Sequence, residues 1–212
     1  MEIVSKYVAK IQVRTSPRWH ADETLLRIKG RHVVFWSLLD SKERLLIAWL
    51  ISKRRDAKNA RALLKKGGKT SRNRPLEIVT DGLGSYVPAI ETELRNQNQS
   101  IIHLQGPLSE ALNNKMETFQ RTLKSRVKTM NHFGDELTAR TFAKGFATHY
   151  NFVRRHKALQ GKTPAQAAKI TREKDTWLGL IHKASESKNH GLRRFRRSSN
   201  ANRMNSDHVR SS

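Results

Sequence analysis

Three apolar runs follow one another near the start of the chain, joined by connections too short to hold a helix, and this pattern restricts the fold more than any other. Arg18 to Lys29 (RWHADETLLRIK), His32 to Leu39 (HVVFWSLL) and Arg44 to Ser52 (RLLIAWLIS) are rich in aliphatic and aromatic residues. Gly30 breaks the first junction and Asp40-Ser41-Lys42-Glu43 the second. Each run therefore reads as a strand paired antiparallel with the next. A helix fits residues 57–66, with Asp56 as N-cap, Ala60, Leu63 and Leu64 on its apolar side and Gly67-Gly68 as the stop. A strand at 76–80 (LEIVT), a helix at about 85–96 and a strand at 100–104 (SIIHL) follow. A strand reached through a helical crossover can lie parallel to an earlier one. The expected fold class is α/β, a mixed five-stranded sheet flanked by helices.

Two long helices complete that reading. Over 109–131, Leu112, Met116, Phe119, Leu123, Val127 and Met130 recur at steps of four and three, a continuous apolar stripe. A second helix, about 135–155, carries Leu137, Phe142, Phe146, Tyr150 and Val153. Thr163-Pro164-Ala165-Gln166 reads as a helix start with Pro at its first position and a capping box. Residues 1–17 form a short lead, and residues 171–212 a basic extension. Its Ser-, Asn- and Arg-rich composition beyond about residue 183 predicts disorder for most of it.

Composition narrows the partner. The chain of 212 residues holds 42 Lys plus Arg against 18 Asp plus Glu, a net charge of +24. Such a field binds polyanions, and nucleic acid is the abundant one. There is no cysteine, which excludes disulfides, thiolate zinc sites and a cysteine nucleophile. The nine histidines show no metal-ligand spacing. No stretch approaches the roughly 20 apolar residues that span a bilayer, and the N-terminus lacks a signal-peptide core. The expected location is cytoplasmic, close to the nucleoid, with no membrane partner.

Three acids stand out by position. Asp22 lies within a mostly apolar strand, where a charge needs a reason to be present. Asp81 ends the fourth strand, at the edge where open α/β sheets place ligands. If the first and fourth strands are parallel neighbours, the two carboxylates converge across about 5 Å. Two carboxylates that close repel unless a divalent cation compensates, and oxygen ligands suit Mg²⁺ or Mn²⁺. Glu117, beside the apolar stripe of the long helix, is the third candidate ligand. Its flank carries Asn113 one turn earlier, then Arg121, Lys124 and Lys128, a pattern suited to a helix laid along DNA. Taken singly, each acid has an ordinary reading: Asp22 ends a strand or pairs with an arginine, Asp81-Gly82 is a turn, and Glu117 with Arg121 is a surface ion pair.

Together these residues resemble the DDE-type transposase and integrase catalytic domain, as in bacterial and archaeal insertion-sequence transposases. The resemblance covers about residues 18–170. Its markers are Trp19-His20-Ala21-Asp22-Glu23-Thr24, Val79-Thr80-Asp81-Gly82 and Asn113-Asn114-Lys115-Met116-Glu117, with 35 residues between Asp81 and Glu117. Downstream, His149-Tyr150-Asn151-Phe152-Val153-Arg154-Arg155-His156 and Gly161-Lys162-Thr163-Pro164-Ala165 are similar to a signature of those transposases. Arg155 stands where many relatives have proline. The family's N-terminal helix-turn-helix is not apparent ahead of residue 18, and residues 1–17 read as the remnant of a linker.

The resemblance implies an RNase H-like fold and a transposase that cleaves and joins DNA strands with two Mg²⁺ (or Mn²⁺) ions held by Asp22, Asp81 and Glu117. It implies transposon ends and target duplex as DNA partners, and a homo-oligomer. Asn113, Arg121, Lys124 and Lys128, with Arg193, Arg194, Arg196 and Arg197 of the tail, are the expected DNA contacts. Three alternatives stay open: a related nuclease that cuts without joining, a DNA-binding remnant that mobilises nothing, and a basic RNA-binding protein.

Overall fold

Alternation along the second apolar run builds both sides of the sheet. In β2 (Arg31–Asp40), Val34, Trp36 and Leu38 enter one hydrophobic cluster, while Val33, Phe35 and Leu39 enter another on the opposite face. β2 pairs antiparallel with β1 (Arg18–Ile28) and with β3 (Leu46–Ser52), as the short junctions require. Asp40 shapes the second junction: its Oδ2 accepts the backbone N–H groups of Lys42 and Glu43 at 3.0 and 2.7 Å. The computed structural model describes residues 2–95, 100–105, 114–130, 133–171 and 177–187.

After β3 the chain crosses the sheet through α2 (Ala57–Thr70) and returns as β4 (Glu77–Val79), parallel to β1. A second crossover, α3 (Tyr86–Glu93), leads to β5 (Ile102–Leu104), parallel to β4. The five-stranded mixed sheet has the order β3-β2-β1-β4-β5. On one face α2 and α3 contribute Ala60, Leu63, Leu64, Tyr86, Ala89 and Ile90, packed on Trp19, Trp36 and Ile78. The other face is covered by α4 (Asn114–Thr129) and α5 (Glu136–Phe152), through Met116, Phe119, Leu123, Ala143, Phe146 and Tyr150. Asp135 caps α5 by accepting from Thr138 N–H at 2.6 Å. α6 (Pro164–Ala167) starts with the expected capping box between Thr163 and Gln166.

The chain divides into two compact units, residues 11–173 and a smaller one that combines 1–10 with 174–212. The described residues of the smaller unit form α1 (Glu2–Val8) and a helix over 177–187, with Val4, Leu180 and Ala184 buried. Residues 188–212, most of the extension expected to be disordered, lie outside the described residues.

Several details depart from the sequence reading. Gly67-Gly68 does not stop α2, which continues to Thr70. A Cβ at Gly67 would lie 2.3 Å from Leu38 Cδ2 and 3.5 Å from Trp19. This glycine marks a close approach of helix to sheet rather than a helix end. The stripe of α4 buries Met116, Phe119 and Leu123 but leaves Met130 exposed, and Leu112 lies outside the described residues. Leu137 is 74% exposed; Ala139 and Ala143 occupy the buried side of α5 instead. β4 and β5 are three-residue strands, shorter than their apolar runs.

Replacing Gly67 by alanine should therefore destabilise the protein. Overpacking against Leu38, at about 1–3 kcal/mol, outweighs the helix-propensity gain of about 1 kcal/mol. Gly68→Ala, whose Cβ meets only the Arg74 guanidinium at 3.2 Å, should be neutral or mildly stabilising. Urea denaturation of the two variants checks the contrast.

Candidate active site

The pairing of β1 with β4 sets the site. His20 lies opposite Val79, the last residue of β4. Continuing that register by two residues puts Asp22 opposite Asp81, just past the strand end. β1 runs on to Ile28 while β4 has stopped, so the flank of β1 beside Asp22 is open. Gly82, at φ +89, turns the chain away and its left-handed backbone suits glycine. Asp81 Oδ1 accepts the Leu83 N–H at 3.1 Å. The Asp-Gly turn signal and the candidate catalytic position are thus the same feature.

Each carboxylate has a built environment. Asp22 faces α4: its Oδ2 accepts from Gln120 Nε2 at 2.6 Å and its Oδ1 from the Glu23 N–H at 2.6 Å. Glu23, next along β1, points to the other face and accepts from Tyr86 OH at 2.9 Å. Arg55, three residues beyond β3, bridges the acids: it pairs with Glu23 and lies 3.0 Å from Asp81 Oδ2. Oxygens of Asp22, Glu23 and Asp81 all lie within 4.8 Å of one another, the only such acid group among the described residues.

Burial, then the neighbouring Asp81 and Glu23 charges, raise the Asp22 pKa to about 7, opposed by the Glu23 N–H and by Arg55. Glu23 is raised as well, first by burial and then by Asp81. Tyr86 is pushed well above its ordinary value, chiefly by burial and then by Glu23. The cluster is thus a concentration of negative charge with one arginine for compensation. Its donors are all hard oxygens, which fits a divalent cation such as Mg²⁺ or Mn²⁺.

Glu117 is exposed, in the first turn of α4, and is not a member of the three-acid group. It stands one turn before Gln120, which bonds Asp22, and residues three apart on a helix are neighbours, about 5–6 Å between Cβ atoms. Glu117 therefore occupies the flank of α4 beside the cluster. Arg121, Lys124 and Lys128 are exposed on α4. Asn113, Arg193, Arg194, Arg196 and Arg197 lie outside the described residues.

Sequence reasoning missed Glu23, Arg55, Tyr86 and Gln120. Glu23 was open to the argument that singled out Asp22, a charge inside an apolar strand. Arg55, Tyr86 and Gln120 carry no sequence signal; tertiary packing alone brings them to the acids.

Paired acids at the open end of a parallel β1/β4 pair, with a helix laid over them, define the class of RNase H-like DDE domains found in transposases and integrases. The DDE-domain family model of the IS240 transposase type matches residues 16–156, and the chain belongs to that family. No curated protein matches the chain in sequence. Among solved structures, a chain of the simian T-cell lymphotropic virus intasome, in complex with the PP2A regulatory subunit B56 gamma, superposes with a TM-score of 0.55 at 17% identity. That superposition covers 79% of this chain and 59% of the intasome chain. The catalytic core domain of BIV integrase gives a TM-score of 0.50 at 16% identity, over 73% of this chain and 94% of that one. At these identities the likeness is one of fold.

A pH dependence follows from Asp22. Because its folded pKa is raised to about 7, the folded state holds a proton between pH 4 and 7 that the unfolded chain releases. Metal-free protein should lose stability as pH rises through that window. Asp22→Asn should remove the Asp22 share of this slope, leaving the contributions of Glu23 and Glu43, whose pKa values are also raised, and stabilise the metal-free protein near pH 7.5 by on the order of 2 kcal/mol. Thermal melts in chelator across pH measure both effects.

Proposed function

We propose that the protein cleaves and joins DNA strands in transposition, using divalent metal ions held by Asp22, Asp81 and Glu117. The observation that carries this reading is the register of β1 and β4, which sets Asp22 beside Asp81 while α4 reaches Asp22 through Gln120. All of these residues lie within the stretch matched to the DDE family.

Metal ions bound there would supply activation of the attacking hydroxyl and stabilisation of the departing oxygen at phosphorus. The protein's own contribution is orientation. Leu83 N–H and Arg55 fix both oxygens of Asp81, and Gln120 and the Glu23 N–H fix those of Asp22. Each oxygen keeps a lone pair for a cation. Glu117, on a short reach from the same helix, completes the set from the solvent side, where substrate arrives. Glu23 anchors Arg55 and Tyr86 and so belongs to the support of the site. Two ions is the number we assign, since three carboxylates leave coordination positions for the scissile phosphate on each. The excess of cations on the chain serves the DNA partners, transposon ends and target, and a homo-oligomer brings two ends together. Among the described residues no helix is long and apolar enough to cross a membrane, and the reading places the protein in the cytoplasm beside DNA.

Asp81→Asn should lower cleavage and strand joining about a thousandfold, equivalent to about 4 kcal/mol of barrier, with duplex DNA binding retained. In a Mg²⁺-dependent assay, an uncut element end reads cleavage and a pre-cut end with a plasmid target reads joining. Wild-type activity in the mutant would sink the assignment. Cleavage without joined products by wild type would instead identify a nuclease.

Arg55→Gln should remove the cation that bridges Glu23 and Asp81. It leaves Glu23, whose side chain is 4% exposed, without its cation. The loss of stability should be on the order of 1 kcal/mol, reduced by solvent screening at the half-exposed arginine. Mn²⁺ titration followed by electron paramagnetic resonance should show tighter binding than in wild type, because the acids lose a compensating cation and Asp81 Oδ2 is freed for the metal.

A further inference from the structure

α4 has a second functional flank. Met116, Phe119 and Leu123 turn to the core and Gln120 to Asp22. At about 100° per residue, Thr122, Ser125, Arg126 and Thr129 fall on the side away from Gln120, with Arg121 on the exposed crown between. There, α4 and Arg154, two residues past the end of α5, enclose a cleft of about 580 Å³ lined by Arg121, Thr122, Ser125, Arg126, Thr129 and Arg154. No acid and no aromatic ring lines it.

Resting on the DNA-processing reading above, we propose that this cleft binds the phosphodiester backbone of DNA flanking the reacting phosphate, through Arg121, Arg126 and Arg154. Arg154 is half-buried, yet no ion pair with an acid reaches it among the described residues. A cation removed from water without an anion is unfavourable, so the site is prepared for one from outside. The segment that holds it is rigid. Asn151 clamps Leu46 by accepting from its N–H and donating to its carbonyl, both at 2.9 Å. Tyr150 packs edge-on against Phe119 and against His156, at 5.0 and 4.9 Å between centroids. Val153 and Arg154 N–H groups both reach the His149 carbonyl, at 3.0 and 2.8 Å. The motif His149 to His156 is thus a scaffold whose outward product is Arg154.

The neighbouring groups leave the cleft positive. The His149 pKa is lowered by partial burial and then by the fields of Arg126 and Arg154, so the ring favours its neutral form and does not offset the arginines. Thr122, Ser125 and Thr129 donate their hydroxyl hydrogens back to helix carbonyls, at 2.9, 2.9 and 2.7 Å. The donors that face an incoming anion are guanidinium groups, whose planar forks match phosphate. Without an aromatic platform or apolar wall, the cleft has nothing to hold a base, so it reads backbone. From residue 121 to 129 the helix rises about 12 Å, room for about three phosphates of one strand. The helix is about 10 Å across, so DNA at the acids reaches the cleft by passing over the crown of α4.

Fluorescence anisotropy with a labelled duplex across a KCl series tests this. Each lost phosphate contact removes about 0.9 from the slope of log affinity against log salt. The Arg126→Gln/Arg154→Gln variant should therefore lose about 2 from the wild-type slope, and Arg154→Lys should retain most of it. If the double variant melts early, Arg126→Gln alone, on an exposed side chain, should lose about 1. A wild-type slope in these variants, with or without weaker binding, overturns the proposal while leaving the catalytic reading intact. Wild-type protein that binds duplex without salt dependence, or not at all, overturns both.

Discussion

Three residue pairs between β1 and β4 carry more consequence than any other contact in the molecule. Arg18, Trp19 and His20 lie opposite Glu77, Ile78 and Val79, and the pairing is anchored by Trp19 and Ile78, both fully buried. Because the strands are parallel, the chain leaves β4 in the direction in which β1 continues. Asp81 therefore arrives beside Asp22 instead of at the opposite end of the sheet. The close seat of α2, made possible by Gly67 over Leu38 and Trp19, fixes the crossover that brings β4 there. The shortness of β4 matters as much as its direction, since a longer strand would cover the flank of β1 that the acids use.

Electrostatics sets the second constraint. Three carboxylates with oxygens within 4.8 Å repel, and burial raises that repulsion. The protein answers with Arg55 between Glu23 and Asp81, Tyr86 on Glu23, and Gln120 on Asp22. These groups offset part of the charge and hold the carboxylates in place, but they leave Asp22 with a pKa near 7. A site in this condition gains most from a cation. Charge strain in the metal-free protein and affinity for metal are two expressions of one arrangement.

α4 then distributes the work. One flank packs on the sheet, one addresses Asp22, and the crown and far flank carry cations toward solvent. A single amphipathic helix serves core, acids and polyanion because 3.6 residues per turn divide its sequence among those directions. The Tyr150–Asn151–His156 scaffold adds Arg154 to the cleft from a separate part of the chain.

The succession of strands and helices along the chain, the α/β class and the candidate positions Asp22 and Asp81 were legible in the sequence. Alternation, turn residues and a charge inside an apolar run are local features, and local features determine which segments become strands and helices. Glu117 was legible as a position on a helix flank, though the structure keeps it outside the acid group. Gly67-Gly68 misled, because a glycine that ends a helix and one that lets a helix approach a sheet look alike in one dimension. Glu23, Arg55, Tyr86 and Gln120 could not be grouped beforehand. They come from β1, the segment after β3, α3 and α4, and meet only when the sheet and its two helical layers have assembled. The sequence by itself determined the elements and where acids and bases lie along them. Tertiary structure alone decided which charges face one another, because that depends on strand register and helix rotation, which no local pattern encodes.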